Sequence, residues 1–317
     1  MYAAAAFLFA VGGIVSKTIM RTTLGPLEFA PIRAMFAAVL LIIWVAMTNR
    51  NAFRVTRKEL PRLALYGMGI FLLTQLLYIV AINNLPVAIG TLLAFMAVIF
   101  VAVWNWLRHG RRLDVPTGSA IGLSLLGALL ITGLIRGSLS GNITVLGLLA
   151  GVGCAVALTG YWIVGASLQR DRDATSLLMW AMVGVVLSWS IIRPFWQLPW
   201  ERVSDSVPLF VDHGPALPIW AMILFVAAIG TAVPFGLTLA SVARIGPQRA
   251  GIVGSLEPAF AALVAFVAIG EALDILQLLG GLAILIGIIV MESAALRANQ
   301  AGADPVAPLG NERERST

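Results

Sequence analysis

Cysteine occurs once in this chain, at Cys154, and histidine only twice, at His109 and His213. A single cysteine excludes an intrachain disulfide and offers no metal-ligand spacing. With so few His and Cys, neither a metal cluster nor a catalytic triad can be assembled, and no cofactor is expected. The phosphate-binding pattern GxxxxGK[ST] is missing, so ATP is not expected to drive the activity. Charge is also scarce: 11% of residues carry one, against about 25% in a soluble domain. In its place stand 60% hydrophobic residues and a mean hydropathy of +0.95. A soluble fold this apolar has too little polar surface to cover itself. The chain reads as an integral membrane protein. Its net charge of +6 does not point to nucleic acid. The basic residues sit in short loops between apolar runs and form no face with interleaved aromatics. Lysine is confined to Lys17 and Lys58, and the arginine bias is that of a GC-rich bacterial genome.

Crossing ~30 Å of hydrocarbon takes about 20 mostly apolar residues of helix. Ten runs qualify: 1–20, 29–47, 64–82, 86–107, 116–135, 145–168, 175–192, 219–243, 248–269 and 275–296. Only helices or closed barrels satisfy their backbone in lipid, and these runs are too long for barrel strands. The first run has neither a basic leader nor a cleavage site, which argues against a signal peptide. The longest connector, 193–218, holds Trp196 and Trp200, which suit a membrane-interface belt. The polar tail 297–317 is expected to be disordered. Fifteen of the 21 Lys and Arg fall in the connectors 48–63, 108–115, 169–174 and 244–247, at Arg249 in the first turn of span nine, and in the tail. That bias makes this the predicted cytoplasmic side, with both termini on it, in a bacterial inner membrane.

The two halves resemble each other. Gly110-Arg111-Arg112-Leu113-Asp114 recurs 160 residues on as Gly270-Glu271-Ala272-Leu273-Asp274, and Gly127 as Gly287. Upstream the offset is 162 residues, pairing Ala81 with Ala243 and Ala88 with Ala250. Each half has five spans, and an odd number inserts the second copy upside down. Inverted repeats are a recurring transporter architecture with the substrate site near the midplane, although duplication also makes structural bundles. The predicted fold is all-α: ten transmembrane helices in two inverted five-helix repeats. The first repeat is 1–135, the linker 136–144, the second repeat 145–296, and the tail follows.

Acids inside lipid-length spans are costly and mark function by default. Glu257 lies about 13.5 Å past Gln248 at 1.5 Å per residue, near the middle of span nine. It suits a proton- or amine-binding carboxylate. Equally, Pro258 frees the carbonyl of Gly254, and a protonated Glu257 could donate within that kink. Pro234 breaks span eight in the same manner beside Thr231, for which an ordinary kink contact is the plainer reading and a site the alternative. Gln75 and Tyr78 share a face of span three and are read as cavity lining rather than interhelical glue. Thr91 on span four and Tyr161 on span six complete the candidate lining, with core or lipid contact the plainer reading for Tyr161. Lys17 and Arg33 lie near the outer ends of spans one and two. Either could pair with a substrate carboxylate or with Glu28. Lys17 is expected to snorkel to the interface, and Arg33 to face protein. Gly280, Gly281, Ala283 and Gly287 read as helix-packing contacts.

The series Leu256-Glu257-Pro258, Gly270-Glu271, Gly280-Gly281 and Gly287, set in a 5+5 repeat, resembles the EamA-type carriers of the drug/metabolite transporter superfamily. Gly13 through Lys17 is similar to that family's Gly-Ser-…-Lys segment, and Pro31 to Arg33 to its Pro-…-Arg opening of span two. The first repeat departs from the pattern. It has Ala94-Phe95-Met96 opposite Leu256-Glu257-Pro258, and Arg111 opposite Glu271, so the acids are confined to the second half. The resemblance implies a secondary transporter, an exporter of a small metabolite such as an amino acid. It also implies alternating access around a cavity lined by spans one, three, four, six, eight and nine. The expected partners are a small-molecule substrate and membrane lipid, not nucleic acid. A monomer is one option for the oligomeric state. An intramembrane enzyme acting on lipid, and a non-transporting scaffold or channel, are the alternatives. The enzyme would need a cluster of polar catalytic residues at one interface, which the sequence does not offer.

Overall fold

The computed structural model describes residues 2–109, 115–132, 143–169, 171–210, 213–238 and 256–300. Helices dominate these residues, because apolar runs placed in lipid must pair their backbone groups internally. The helices are α1 (Tyr2–Thr22), α2 (Pro26–Thr48), α3 (Leu60–Asn84), α4 (Val87–Phe95), α5 (Ala97–His109) and α6 (Val115–Thr132). They continue as α7 (Val145–Leu168), α8 (Ala174–Ile192), α9 (Ile219–Thr238), α10 (Glu257–Ile269) and α11 (Ile275–Gln300). Six of them, α1, α2, α3, α7, α8 and α9, are long and apolar enough to cross a membrane, and shorter apolar helices accompany them. Large apolar side chains point outward: Trp44 is 60% exposed, Leu149 68% and Val267 70%. An apolar exterior this broad fits lipid rather than water.

Two buried clusters hold the bundle. The larger joins α1, α2, α3, α8, α9 and α10, and the smaller joins α4 and α5 with α6, α7 and α11. α6 and α11 lie along one another. A Cβ on Gly127 would stand 2.5 Å from the Gly280 carbonyl oxygen, and one on Gly287 2.9 Å from that of Ala120. The small-residue stripe of α11 is therefore a close-packing seam. α1 crosses α9 in the same way, where a Cβ on Gly12 would stand 2.5 Å from the Gly230 Cα.

Two helices carry π-helical stretches, Leu65–Phe71 within α3 and Ala228–Ala232 within α9. The second stops just short of Pro234, whose ring nitrogen cannot donate to the carbonyl four residues back. The ladder takes up that loss by widening. A Ser188 hydroxyl from α8 donates to the Met68 carbonyl inside the first stretch, at 3.3 Å.

The expected architecture needs two corrections. Span four is not continuous, because a turn at Met96 separates α4 from α5. The connector after α8 contains an antiparallel hairpin, β1 (Ser206–Phe210) with β2 (His213–Pro218), in register Ser206 to Pro218 and Val207 to Leu217. The all-α expectation misses it, since its prolines argue against strands. A two-stranded ribbon has only edges, where proline is tolerated. Val207, Leu209 and Leu217 fasten it to the larger core. Residues 239–255, including Gln248, Ala243 and Ala250, lie outside the described residues, as do 110–114, 133–142 and the tail 301–317.

The connectors 49–59 and 171–173 meet at one end, here termed the basic face. Arg172 Nη1 donates to the Ala52 carbonyl at 2.7 Å and to Ser176 Oγ at 2.8 Å, and Nη2 donates to the Arg54 carbonyl. Glu59 stands 3.6 Å from Arg172. The Thr56 backbone N–H, then its hydroxyl, hold the Glu59 carboxyl below the usual carboxylate range. At the far face, Glu28 of α2 meets Arg193 at 3.2 Å and Arg202 at 3.8 Å, beside the hairpin.

Candidate functional site

The polar side chains of the bundle interior fall into three layers. In the middle layer, Arg33 of α2 is buried, and its Nη1 donates to Thr231 Oγ1 of α9 at 3.0 Å. Thr231 in turn donates to the Val226 carbonyl at 3.2 Å, within the widened stretch of α9. The Tyr78 hydroxyl of α3 and the Thr91 hydroxyl of α4 share a hydrogen bond at 3.2 Å. Tyr78 interacts electrostatically with both Glu257 and Arg33. Glu257 is buried in the first turn of α10. Five helices thus bring an acid, a guanidinium, a phenol and two hydroxyls together. Thr231 and Glu257 each lie twelve residues from the far-face ends of their helices, or about 18 Å at 1.5 Å per residue. That depth is near the centre of a ~30 Å core.

Two donors in this layer have no partner: Gln75 Nε2, three residues before Tyr78 on α3, and Arg33 Nε. A buried unpaired donor costs about 1–3 kcal/mol. Both lie where the polar side chains of the bundle interior gather, so this layer is its least completely paired part among these side chains.

Nearer the basic face lies an aromatic layer. Tyr161 of α7 stacks on Tyr66 with ring centroids 5.2 Å apart and on Phe71 at 5.0 Å. Phe235 meets Tyr161 edge-on at 6.5 Å and Phe9 of α1 at 5.0 Å. Tyr66 and Phe71 ride on the π stretch of α3, and Phe235 follows Pro234 just past that of α9.

Nearer the far face lies an ion pair. Lys17 Nζ of α1 is 2.5 Å from Glu271 Oε1 and donates to the Leu85 carbonyl at 2.6 Å. Glu271 Oε2 accepts the Val87 N–H at 2.9 Å.

The sequence-chosen residues thus separate. Arg33, Tyr78, Thr91, Thr231 and Glu257 gather in one layer with Gln75 at its edge. Tyr161 belongs to the aromatic layer instead. Lys17 does not snorkel: it is 1% exposed, because Glu271 and the Leu85 carbonyl satisfy its charge where it lies. Neither Lys17 nor Arg33 pairs with Glu28, whose partners are Arg193 and Arg202. Pro258 sits in the first turn of α10 as described, where a missing N–H is harmless. The proposed kink at the Gly254 carbonyl lies outside the described residues. Sequence reasoning missed Glu271, Tyr66, Phe71 and Phe235. The signal for Glu271 was an acid in a far-face turn matched to a lysine one turn inside span one.

Comparison with known proteins decides the family. The model of the EamA-like transporter family matches residues 1–133 and again 145–293. The chain belongs to the EamA-like transporter family. Curated relatives within the drug/metabolite transporter superfamily agree in extent. The inner membrane transporter YicL of Salmonella typhimurium is 26% identical over 291 residues, covering 90% of this chain and 92% of that protein. The threonine/homoserine exporter RhtA of Escherichia coli is 24% identical, covering 86% and 85%. A transporter of Archaeoglobus fulgidus is 29% identical, covering 73% and 76%. A solved crystal structure shares the fold at a TM-score of 0.59 and 16% identity, covering 93% of this chain and 98% of that one. Family membership makes this chain a multi-pass membrane protein with a transporter role.

Proposed function

We propose that this EamA-family protein is a secondary transporter exporting a small metabolite, an amino acid being the favoured class, by alternating access around the middle polar layer. The observation that carries this is the buried set Arg33, Thr231, Tyr78, Thr91 and Glu257, contributed by five helices, with unpaired donors on Gln75 and Arg33. A zwitterion has the charges to meet Arg33 with its carboxylate and Glu257 with its ammonium. The likeness to a threonine/homoserine exporter favours the same class.

The architecture proposed with it is ten membrane helices in two inverted repeats, 1–135 and 145–296, joined by 136–144. Support comes from the double match of one family model and from paired packing. α3 packs on α7 as α9 packs on α1, and α8 on α3 as α2 on α9. The π stretches fall on α3 and α9, the third spans of the two halves. Breaks at matching places in two repeats are the pointer to a transport site between them. The basic face is then cytoplasmic, in a bacterial inner membrane, with both termini on that side. Neither repeat is assigned an enzymatic role.

Glu257 is the proposed proton site, as an isolated acid at this depth must be neutralised or paired as the cavity changes sides. A thermal-shift screen of the purified protein across amino acids should find a stabilising ligand. Glu257→Gln should keep the fold and lose pH-driven flux in proteoliposomes. Wild-type pH-driven flux in Glu257→Gln removes that residue from coupling, and a screen with no stabilising amino acid removes the substrate class.

A further inference from the structure

The far-face ion pair has the placement of a moving contact. Lys17 lies on α1, Leu85 on the turn between α3 and α4, Val87 at the first position of α4, and Glu271 on the turn between α10 and α11. Pro86, the residue preceding α4, supplies no side-chain cap to that helix. Glu271 supplies one from 184 residues away, taking the Val87 N–H where the helix N-terminus favours a negative charge. Its other oxygen holds Lys17. One carboxylate therefore closes three elements over the middle layer.

Two features suit such a closure to opening and re-forming. A buried ion pair gains little net free energy over two hydrated charges, because desolvation offsets the attraction. Pairing and separation are then nearly balanced once water reaches the site. Arg21, one turn beyond Lys17 on α1, is 41% exposed with its Nη2 3.6 Å from Glu271 Oε1. It offers Glu271 a hydrated partner when Lys17 lets go.

The closure is also wired to the middle layer. The Glu271 N–H bonds to the Ala265 carbonyl at 3.2 Å, and Gly270 takes a left-handed turn with φ 62°. The turn is thereby fixed to α10, whose first residue is Glu257. On α1, Gly13 faces the Tyr78 hydroxyl one turn before Lys17. Movement of α10 or α1 at the middle layer is carried to Glu271 or Lys17.

We infer that Glu271, held by Lys17 and the N-terminus of α4, is the latch of the far-face gate: transport to that side proceeds by breaking this pair. The inference rests on the transporter role, but its test needs no substrate. The background is the full chain carrying Cys154→Ser, with one reporter cysteine at a time. Ser16→Cys lies beside Lys17, and Val164→Cys lies one turn past Tyr161 toward the basic face. A membrane-impermeant thiol reagent is applied from each side, in spheroplasts and in inside-out vesicles. Glu271→Gln is expected to raise far-face labelling of Ser16→Cys at least tenfold and to lower basic-face labelling of Val164→Cys. Glu271→Asp, which keeps the charge, should restore most of the protection. Lys17→Met breaks the same pair from the other partner and should act with the same sign. Unchanged labelling of Ser16→Cys in both Glu271→Gln and Lys17→Met overturns the inference. So does a rise at both reporters, which marks general loosening rather than a gate.

Discussion

Replacing Thr231 by valine deletes a hydroxyl and keeps the shape, so it isolates the bond that ties α2 to α9. Thr231 Oγ1 accepts from Arg33 Nη1 at 3.0 Å and donates to the Val226 carbonyl at 3.2 Å. A hydrogen bond to a charged group contributes about 1.5–3 kcal/mol net and a neutral one about 1 kcal/mol. Interhelical polar contacts in membranes are weaker, averaging about 0.6 kcal/mol with a maximum near 1.7. Arg33 places this contact at the upper end, because its Nε already lacks a partner and the lost bond leaves the charge poorly satisfied. Against that, an extra buried methyl contributes about 0.8 kcal/mol. The expected net loss for Thr231→Val is about 1–2 kcal/mol, the lower membrane scale being weighed against an unpaired charge. Thr231→Ser keeps both bonds and forfeits one methyl, for about 1 kcal/mol or less. Thermal unfolding in mild detergent, followed by the fluorescence of the nine tryptophans, should rank wild type above Ser and Ser above Val. Apolar burial alone gives the reverse order of Ser and Val. A valine variant as stable as wild type refutes the assignment of Arg33 to Thr231.

Gly12→Ala puts a Cβ 2.5 Å from the Gly230 Cα and should cost about 1–3 kcal/mol by forcing α1 from α9. Gly236→Ala, which meets nothing within 4 Å, should unfold at or slightly above the wild-type temperature in the same assay. Arg172→Lys replaces a fork bonded to Ala52, Arg54 and Ser176 with a single point charge. Trypsin cleavage after Arg54, Arg57 or Lys58 should then rise several-fold, read by mass spectrometry. Acid should loosen the same knot: with its carboxyl held below 4.5, Glu59 supports the fold fully above that pH and loses the contribution as pH falls through its lowered value. Hydrogen exchange of residues 50–62 between pH 6 and pH 3 should show protection falling only at the acidic end.

What the sequence makes legible follows the range of each interaction. Apolar runs of span length are local, and the helices of the structure fall on them. Close packing at Gly280 and Gly287 is written in a four- to seven-residue spacing, and α6 meets α11 there. Gln75 and Tyr78 are one turn apart, so their shared face needs only helix geometry. The ion pair of Lys17 with Glu271 joins residues 254 apart, and no local pattern announces it. From the sequence, Lys17 was expected to snorkel, with Glu28 or a substrate carboxylate as the other partners; the fold supplied the Glu271 carboxylate and the Leu85 carbonyl instead. The aromatic layer was hidden for a related reason. Phe71, Tyr161 and Phe235 look like ordinary apolar positions until three helices bring them together. The break at Met96 carries neither Gly nor Pro, and the Thr159 hydroxyl of α7 bonds the adjacent Ala97 carbonyl from another helix.

Counterflow in proteoliposomes puts the whole account at risk in one experiment. Vesicles preloaded with the unlabelled amino acid that the thermal-shift screen selects should take up its labelled form with a saturable rate, and Arg33→Gln should abolish that uptake while still inserting and folding. Uptake that grows linearly with concentration, or saturable uptake that Arg33→Gln leaves intact, would contradict a transport site built on the middle polar layer.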